Sequence, residues 1–338
     1  MHKRGILLIS LLFALLSLSA QDIHFSQTGS VPFYFNPAAT GLMSHQYRFS
    51  ANTKIQWSSV STPYQTYLAG FDAGLRRKGS YLDMFGAGVD IMREKAGDAG
   101  FGTSGFGLSM SYIKALNRFN NEFLSFGASF RIHQRSFDAN PLTFDSQFNG
   151  QFFDSTLPGG ENFSDMNFWF PVAGLGVAYL NRFDTQHELT TGLSVMNFNR
   201  PMQSHFGDNN IRLRTRWMGT ISYRSPIGRD RELVPSAFVS VQGPYREILA
   251  GFDYRFIKSY NRWDYTAFSG GLFYRFGDAF LVTAHADYLN YRFGVSYDVN
   301  VSTLSQASHL RGGFEFSFMM VFDRPEKKKN REIPCPIF

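Results

Sequence analysis

Eight histidines occur in the chain, and all but His2 lie beyond the first twenty residues, at positions 24, 45, 133, 187, 205, 285 and 309. Imidazole can act as a general base or bind a metal, but either task needs partners at fixed spacing. A zinc site uses ligands a few residues apart on one element, and these histidines are too dispersed for that. His133 and His285 fall on polar faces near Arg131 and Asp287, a setting that could hide a hydrolytic triad. It is equally the setting of any polar barrel lumen, which needs inward-facing polar residues regardless of catalysis. The chain carries no G-x-S-x-G, H-E-x-x-H, P-loop or dinucleotide fingerprint. Its one cysteine, Cys335, has no partner in the chain, so a disulfide there could only be intermolecular. The residues therefore assign no catalytic group, no metal and no cofactor.

The elements that would position these residues are legible from alternation. In "GFGLSMSYIK" (105–114), Phe106, Leu108, Met110 and Tyr112 share one face, with Gly107, Ser109 and Ser111 on the other. "EFLSFGASFRIHQ" (122–134) sets Leu124, Phe126, Phe130 and Ile132 against Ser125, Gly127, Ser129, Arg131 and His133. "REILAGFDYRFI" (246–257) sets Ile248, Phe252, Tyr254 and Phe256 against Glu247, Asp253 and Arg255. "GGFEFSFMMVF" (312–322) sets Phe314, Phe316, Phe318 and Met320 against Glu315 and Ser317. A period of two sustained this long exceeds an ordinary globular strand and suits a tilted membrane strand. The 37 Phe, 16 Tyr and 31 Gly beside few charges point the same way, because lipid-facing walls and interfacial girdles favour aromatics.

This reading predicts an all-β protein, a transmembrane antiparallel β-barrel of about 14 strands. The segments lie near 46–56, 64–75, 81–93, 102–115, 122–135, 170–181, 187–198, 214–225, 234–243, 246–257, 264–276, 278–290, 291–300 and 310–322. An even number returns both ends to one side, as in single-chain bacterial barrels. The longest connections, 136–169 and 199–213, then both follow odd-numbered strands and face outward. Two outer turns, 243–246 and 277–278, come out unusually short.

Four regions follow. Residues 1–20 read as a signal peptide: a basic start at Lys3 and Arg4, a short apolar stretch, then "SLSA". Loss of that segment takes the formal charge from +6 to +4. Residues 21–45 form an N-terminal lead-in or plug with no clean period, and Asn36-Pro37 is a turn signal. Residues 46–322 are the outer-membrane barrel, and 323–338 a periplasmic basic tail with a Cys-Pro ending. Segment 136–169 holds five acidic residues, no Lys or Arg, and an excess of aromatics that should pack inward, cover the barrel mouth or meet a partner. Phe152, Phe153, Glu161, Phe163, Asp165, Phe168 and Trp169 are the candidate extracellular partner residues. The scattered basic residues read as a periplasmic bias rather than a nucleic-acid surface.

"QDIHFSQ" (21–27), "FNPAATG" (35–41), "YDVNVSTLSQAS" (297–308) and "IPCPIF" (333–338) together resemble the PorP/SprF family of outer-membrane proteins, associated with type IX secretion and gliding motility. The resemblance implies a fourteen-stranded barrel that does no chemistry and supports secretion and cell-surface anchoring of a large adhesin. The adhesin would be recognised outside through its C-terminal domain. A periplasmic OmpA-like peptidoglycan-binding lipoprotein, or other type IX secretion components, would be met on the inner side. Gln21, Asp22, Phe25, Ser26, Gln27, Asn36, Pro37 and Gly41 would be the family's N-terminal motif. Ile333, Pro334, Cys335, Pro336 and Phe338 would form a docking tail in the periplasm. The competing reading is an outer-membrane transporter of a hydrophobic or small substrate, of the fatty-acid-channel kind.

Overall fold

The computed structural model describes residues 25–56, 62–76, 83–160, 166–184, 187–208, 210–259, 264–302 and 311–324. Fourteen antiparallel strands occur: β1 (Tyr47–Gln56), β2 (Tyr64–Arg76), β3 (Met84–Ala96), β4 (Phe101–Ala115), β5 (Glu122–Ser136), β6 (Asn167–Arg182), β7 (Glu188–Met196), β8 (Arg216–Pro226), β9 (Arg231–Gln242), β10 (Tyr245–Ser259), β11 (Thr266–Arg275), β12 (Ala279–Tyr288), β13 (Tyr291–Asn300) and β14 (Arg311–Phe322). Each pairs with its sequence neighbours, and β1 pairs with β14 to close the barrel. Closure leaves no unpaired strand edge, which hydrocarbon would not tolerate.

Alternation sorts the side chains as the sequence demands. On β4, Phe106, Leu108 and Met110 are exposed to the outside while Ser109 and Ser111 are buried within. Aromatic rings gather toward both ends of the outer wall. Tyr47 stacks between Phe71 and Phe322 at 6.0 and 5.2 Å near the end that carries both barrel termini, the inner rim. Trp169 and Trp217 are exposed near the opposite, outer rim, and Tyr274 meets Phe280 there at 4.6 Å. Two girdles flanking an apolar band are what a membrane barrel requires. The described parts of the long connections 137–166 and 197–215 share the outer rim. The two tight outer turns are real hairpins, with Gly243 and Gly277 at φ of 62° and 76°, a left-handed conformation that glycine adopts without strain.

The lumen is not hollow. Residues 25–46 run inside it, with a four-residue helix at Pro32–Phe35 and a 3-10 turn at Pro37–Ala39. Phe25, Val31, Phe33 and Phe35 are buried in one cluster with Leu68 of β2, Met92 of β3, Met196 of β7, Met218 of β8, Phe238 of β9, Leu249 of β10 and Leu281 of β12. These wall residues come from around the circumference, so the segment spans the cross-section. Each fully buried Phe of this kind contributes about 1.5–3 kcal/mol.

Candidate functional site

The luminal segment enters beside β1, β11 and β13 in the outer half of the barrel and descends to the inner rim, where it becomes β1. Its upper anchor is built on Glu315, whose inward position on β14 follows from the alternation of that strand. The Glu315 carboxylate accepts the backbone amides of Ser26 at 2.6 Å and Gln27 at 2.8 Å, and Asn52 Nδ2 at 2.9 Å. Two successive amides on one carboxylate form a charge-assisted clamp on the chain. Beside it, the Ser26 hydroxyl donates to Asp298 and accepts from Lys54 Nζ at 3.1 Å and Arg275 Nη2 at 2.8 Å. One donor and two acceptors exhaust what a hydroxyl can offer. Lys54 and Arg275 in turn pair with Asp298 at 3.3 and 3.0 Å, all three buried. Gln27 completes the anchor: its Nε2 donates to Ser296 Oγ, its Oε1 accepts from Ser317 Oγ at 2.6 Å, and His285 Nε2 lies 3.2 Å away.

The lower anchor is a backbone seat. Buried carbonyls need donors, and the wall supplies them one by one. Arg131 Nη2 donates to Tyr34 O, Ser194 Oγ to Phe35 O, Ser125 Oγ to Ala38 O, Arg48 Nη2 to Ala39 O, and Ser111 Oγ to Thr40 O. Asn36 caps the 3-10 turn by accepting Ala38 N at 3.0 Å, and its Nδ2 donates to Val177 O on the wall. Gly41, at φ 68°, donates its amide to Asp72 at 2.7 Å, and Arg48 forks onto the same carboxylate. Arg131 repeats that pattern with Asp90 and lies 4.5 Å over the Tyr34 ring. Close seating depends on wall glycines: a Cβ on Gly127 would stand 2.3 Å from Ala38 N, and one on Gly176 would stand 2.0 Å from Asn36 Oδ1.

Above the segment, loop 197–215 folds over the mouth. Leu213 is buried against Phe170 and Val172. His205 sits among Phe101, Phe137 and Phe168 at centroid distances of 5.8, 4.8 and 4.8 Å. Between segment and loop remains a cavity of about 30 Å³ lined by Tyr34, Phe35, Met92, His133, Met196 and Met218 among others. It has room for little more than a water molecule.

The acidic segment 136–169 divides its described aromatics. Phe137 and Phe168 turn inward onto His205. Phe148, Phe152 and Phe153 stay 55, 60 and 46% exposed at the tip, and Trp169 is 64% exposed on the outer wall. The tip is not slack. Asn149 Oδ1 accepts the amides of Gln151 and Phe152, and Asn149 N donates to Phe152 O. Gln147 bonds Phe144 N and Leu157 O, and Ser146 Oγ donates to Gly159 O at 2.6 Å. A pre-organised hairpin thus presents three phenyl rings to solvent.

The structure brings together part of the predicted N-terminal motif: Phe25, Ser26, Gln27, Asn36, Pro37 and Gly41 all lie in the luminal seat. Gln21, Asp22, Glu161, Phe163, Asp165 and the tail residues Ile333, Pro334, Cys335, Pro336 and Phe338 lie outside the described residues. His133 and His285 do face the lumen, but apart from each other. His133 meets the edge of Phe170 at 5.5 Å, and His285 is turned to Gln27 and to Asp253 at 3.8 Å. The roles of Lys54, Asp72, Asp90 and Asp298 were not read from the sequence. The available signal was a set of charges inside otherwise apolar-alternating strands, together with apolar residues such as Leu249 at positions that should face a polar lumen.

The model of the type IX secretion system membrane protein PorP/SprF family matches residues 17–320, and the chain belongs to that family. No curated protein matches the chain significantly. Among solved structures, the toluene transporter TbuX of Ralstonia pickettii is 12% identical, with a TM-score of 0.49, covering 87% of this chain and 94% of that one. A FadL homologue from Pseudomonas aeruginosa is 9% identical, TM-score 0.44, covering 87 and 94%. The translocator domain of the autotransporter NalP from Neisseria meningitidis is 10% identical, TM-score 0.43, covering 88 and 96%. Likenesses this distant carry no functional argument.

Proposed function

We propose that this member of the PorP/SprF family is a closed platform of the type IX secretion machinery rather than a conduit. It holds a secreted adhesin at the cell surface and couples on its inner side to a periplasmic OmpA-like peptidoglycan-binding lipoprotein or another secretion component. The supporting observation is the lumen, filled from wall to wall by the chain's own N-terminal segment and fixed by buried charges. A lumen filled by a segment fixed at both anchors leaves no open path along the barrel axis, which weighs against a continuous channel. With transport through the barrel disfavoured, the surfaces left to act are its two rims.

On the outer rim, the Phe148–Phe153 hairpin is the contact we assign to the adhesin's C-terminal domain. Exposed aromatics on a rigid support lose little entropy on binding and are the residue types that dominate interface energetics. On the inner rim, the tail from Asp323 onward is the coupling element, with Asp323 itself tied to His45 at 3.0 Å. The test replaces Phe148, Phe152 and Phe153 together by serine. The hairpin's own hydrogen bonds use backbone and the side chains of Ser146, Gln147 and Asn149, none of them replaced, so the barrel should fold and insert as before. The adhesin should be made but should fall at least tenfold at the cell surface, the loss expected when about 1.4 kcal/mol or more of contact is removed. Normal surface display by this variant would contradict the assignment, and normal display after deletion of the whole gene would contradict the proposed function.

A further inference from the structure

The wall formed by β7, β8 and β9 carries two depressions, one basic and one apolar, with Trp217 between them along β8. At the outer rim, Arg200, Arg212 and Arg214, with Asn210, Thr215 and Gly243, line an open depression of about 480 Å³. No Asp or Glu is among the described residues of that lining. Three guanidinium groups around one space with no carboxylate among them make a locally positive surface that favours an anion. Arg212 spends one weak bond on Arg200 O at 3.5 Å, which leaves its fork facing the depression. Below, on the lipid-facing side of the same strands, lies an apolar depression of about 430 Å³. Gly219 forms part of it without a side chain, and Leu193, Ile221 and Val239 rise beside it, all exposed. The indole of Trp217, 61% exposed, stands between the two at the level where aromatic belts mark the boundary of headgroup and hydrocarbon.

We infer that this wall binds a phosphate-bearing glycolipid of the outer leaflet, its phosphate held by Arg200, Arg212 and Arg214 and an acyl chain lying over Gly219. Guanidinium matches phosphate through paired, charge-assisted hydrogen bonds that a carboxylate-free depression leaves available. An apolar groove directly beneath gives the lipid a second point of attachment that a soluble anion could not use. Basic pockets at the membrane face select lipid headgroups by the same chemistry. The site would fix the rotation of the barrel against its lipid shell on the side of loop 197–215, whatever partner the barrel serves.

The experiment measures binding of diphosphoryl lipid A to the full-length barrel in a non-ionic detergent and phosphate-free buffer, by native mass spectrometry and titration. The chain with Arg200→Gln, Arg212→Gln and Arg214→Gln should bind at least about tenfold more weakly, the factor that even a single lost charged hydrogen bond is worth. Gly219→Leu should weaken the lipid several-fold but leave competition by inorganic phosphate unchanged. A Cβ at Gly219 meets only Leu193 Cδ2 at 3.4 Å, an ordinary van der Waals contact. Dephosphorylated lipid A should bind no better to the parent than to the triple variant. Equal affinity of parent and triple variant for diphosphoryl lipid A would overturn the site. Binding of inorganic phosphate alone, with no effect of Gly219→Leu on lipid A, would overturn the lipid assignment. Retention of the folded, faster-migrating band on unheated gels certifies each variant before titration.

Discussion

Replacing Glu315 by alanine should release the luminal segment from its upper anchor and cost about 3–5 kcal/mol, the range for removing one partner of a buried charged pair. The carboxylate holds two backbone amides, Asn52 and, at 4.0 Å, Lys54, all out of water. Its loss strands the two amides together and leaves the Lys54 ammonium with Asp298 as its one remaining carboxylate partner. Limited proteolysis of folded barrels should then cut within residues 25–46, where the parent chain is protected, while the strands stay intact. Combining Glu315→Ala with Lys54→Met should recover part of the lost stability, because the orphaned charge disappears with its partner. Unchanged protease resistance in Glu315→Ala would mean that the segment is held by its apolar contacts alone.

Gly127→Val strikes the lower anchor and should act as strongly by a different route. The new Cβ would stand 2.3 Å from Ala38 N and Pro37 C and 2.4 Å from Pro37 O, all backbone. A flexible side chain could swing away, but the 3-10 turn cannot, since Asn36 and the wall donors fix it on every side. The cost should reach or exceed the roughly 3 kcal/mol upper end of ordinary overpacking. It should appear as ejection of the segment or loss of folded barrel on unheated gels. Gly270→Ala is the matched control, because its Cβ would meet nothing nearer than Thr283 O at 3.9 Å. It should be silent.

These two sites also show how far the sequence could be read. The fourteen strands were legible because a membrane wall forces strict alternation over ten or more residues, and each segment lies within a few residues of its strand. Gly127 was legible as inward-facing, between Ser125 and Ser129 on the polar face. Alternation gives no reason for its smallness, which makes room for a backbone packed against it. Glu315 was likewise placed inside but given no partner, because its partners are Ser26 and Gln27, nearly the whole chain away. Alternation assigns a residue to a face and carries no information about what lies opposite. The outer hairpin was harder still. Composition announced that the aromatics of 136–169 needed cover, yet only the hydrogen bonds of Asn149 and Gln147 separate the rings that pack inward from those left outside.

The closed lumen is the claim on which the platform reading stands, and electrical recording reaches it most directly. Purified full-length protein, inserted in a planar bilayer, should give no steady current above background. The same barrel lacking residues 25–41 should conduct as an open, water-filled pore. A wild-type chain that conducts as well as the shortened one would contradict the account and return the transporter reading to first place.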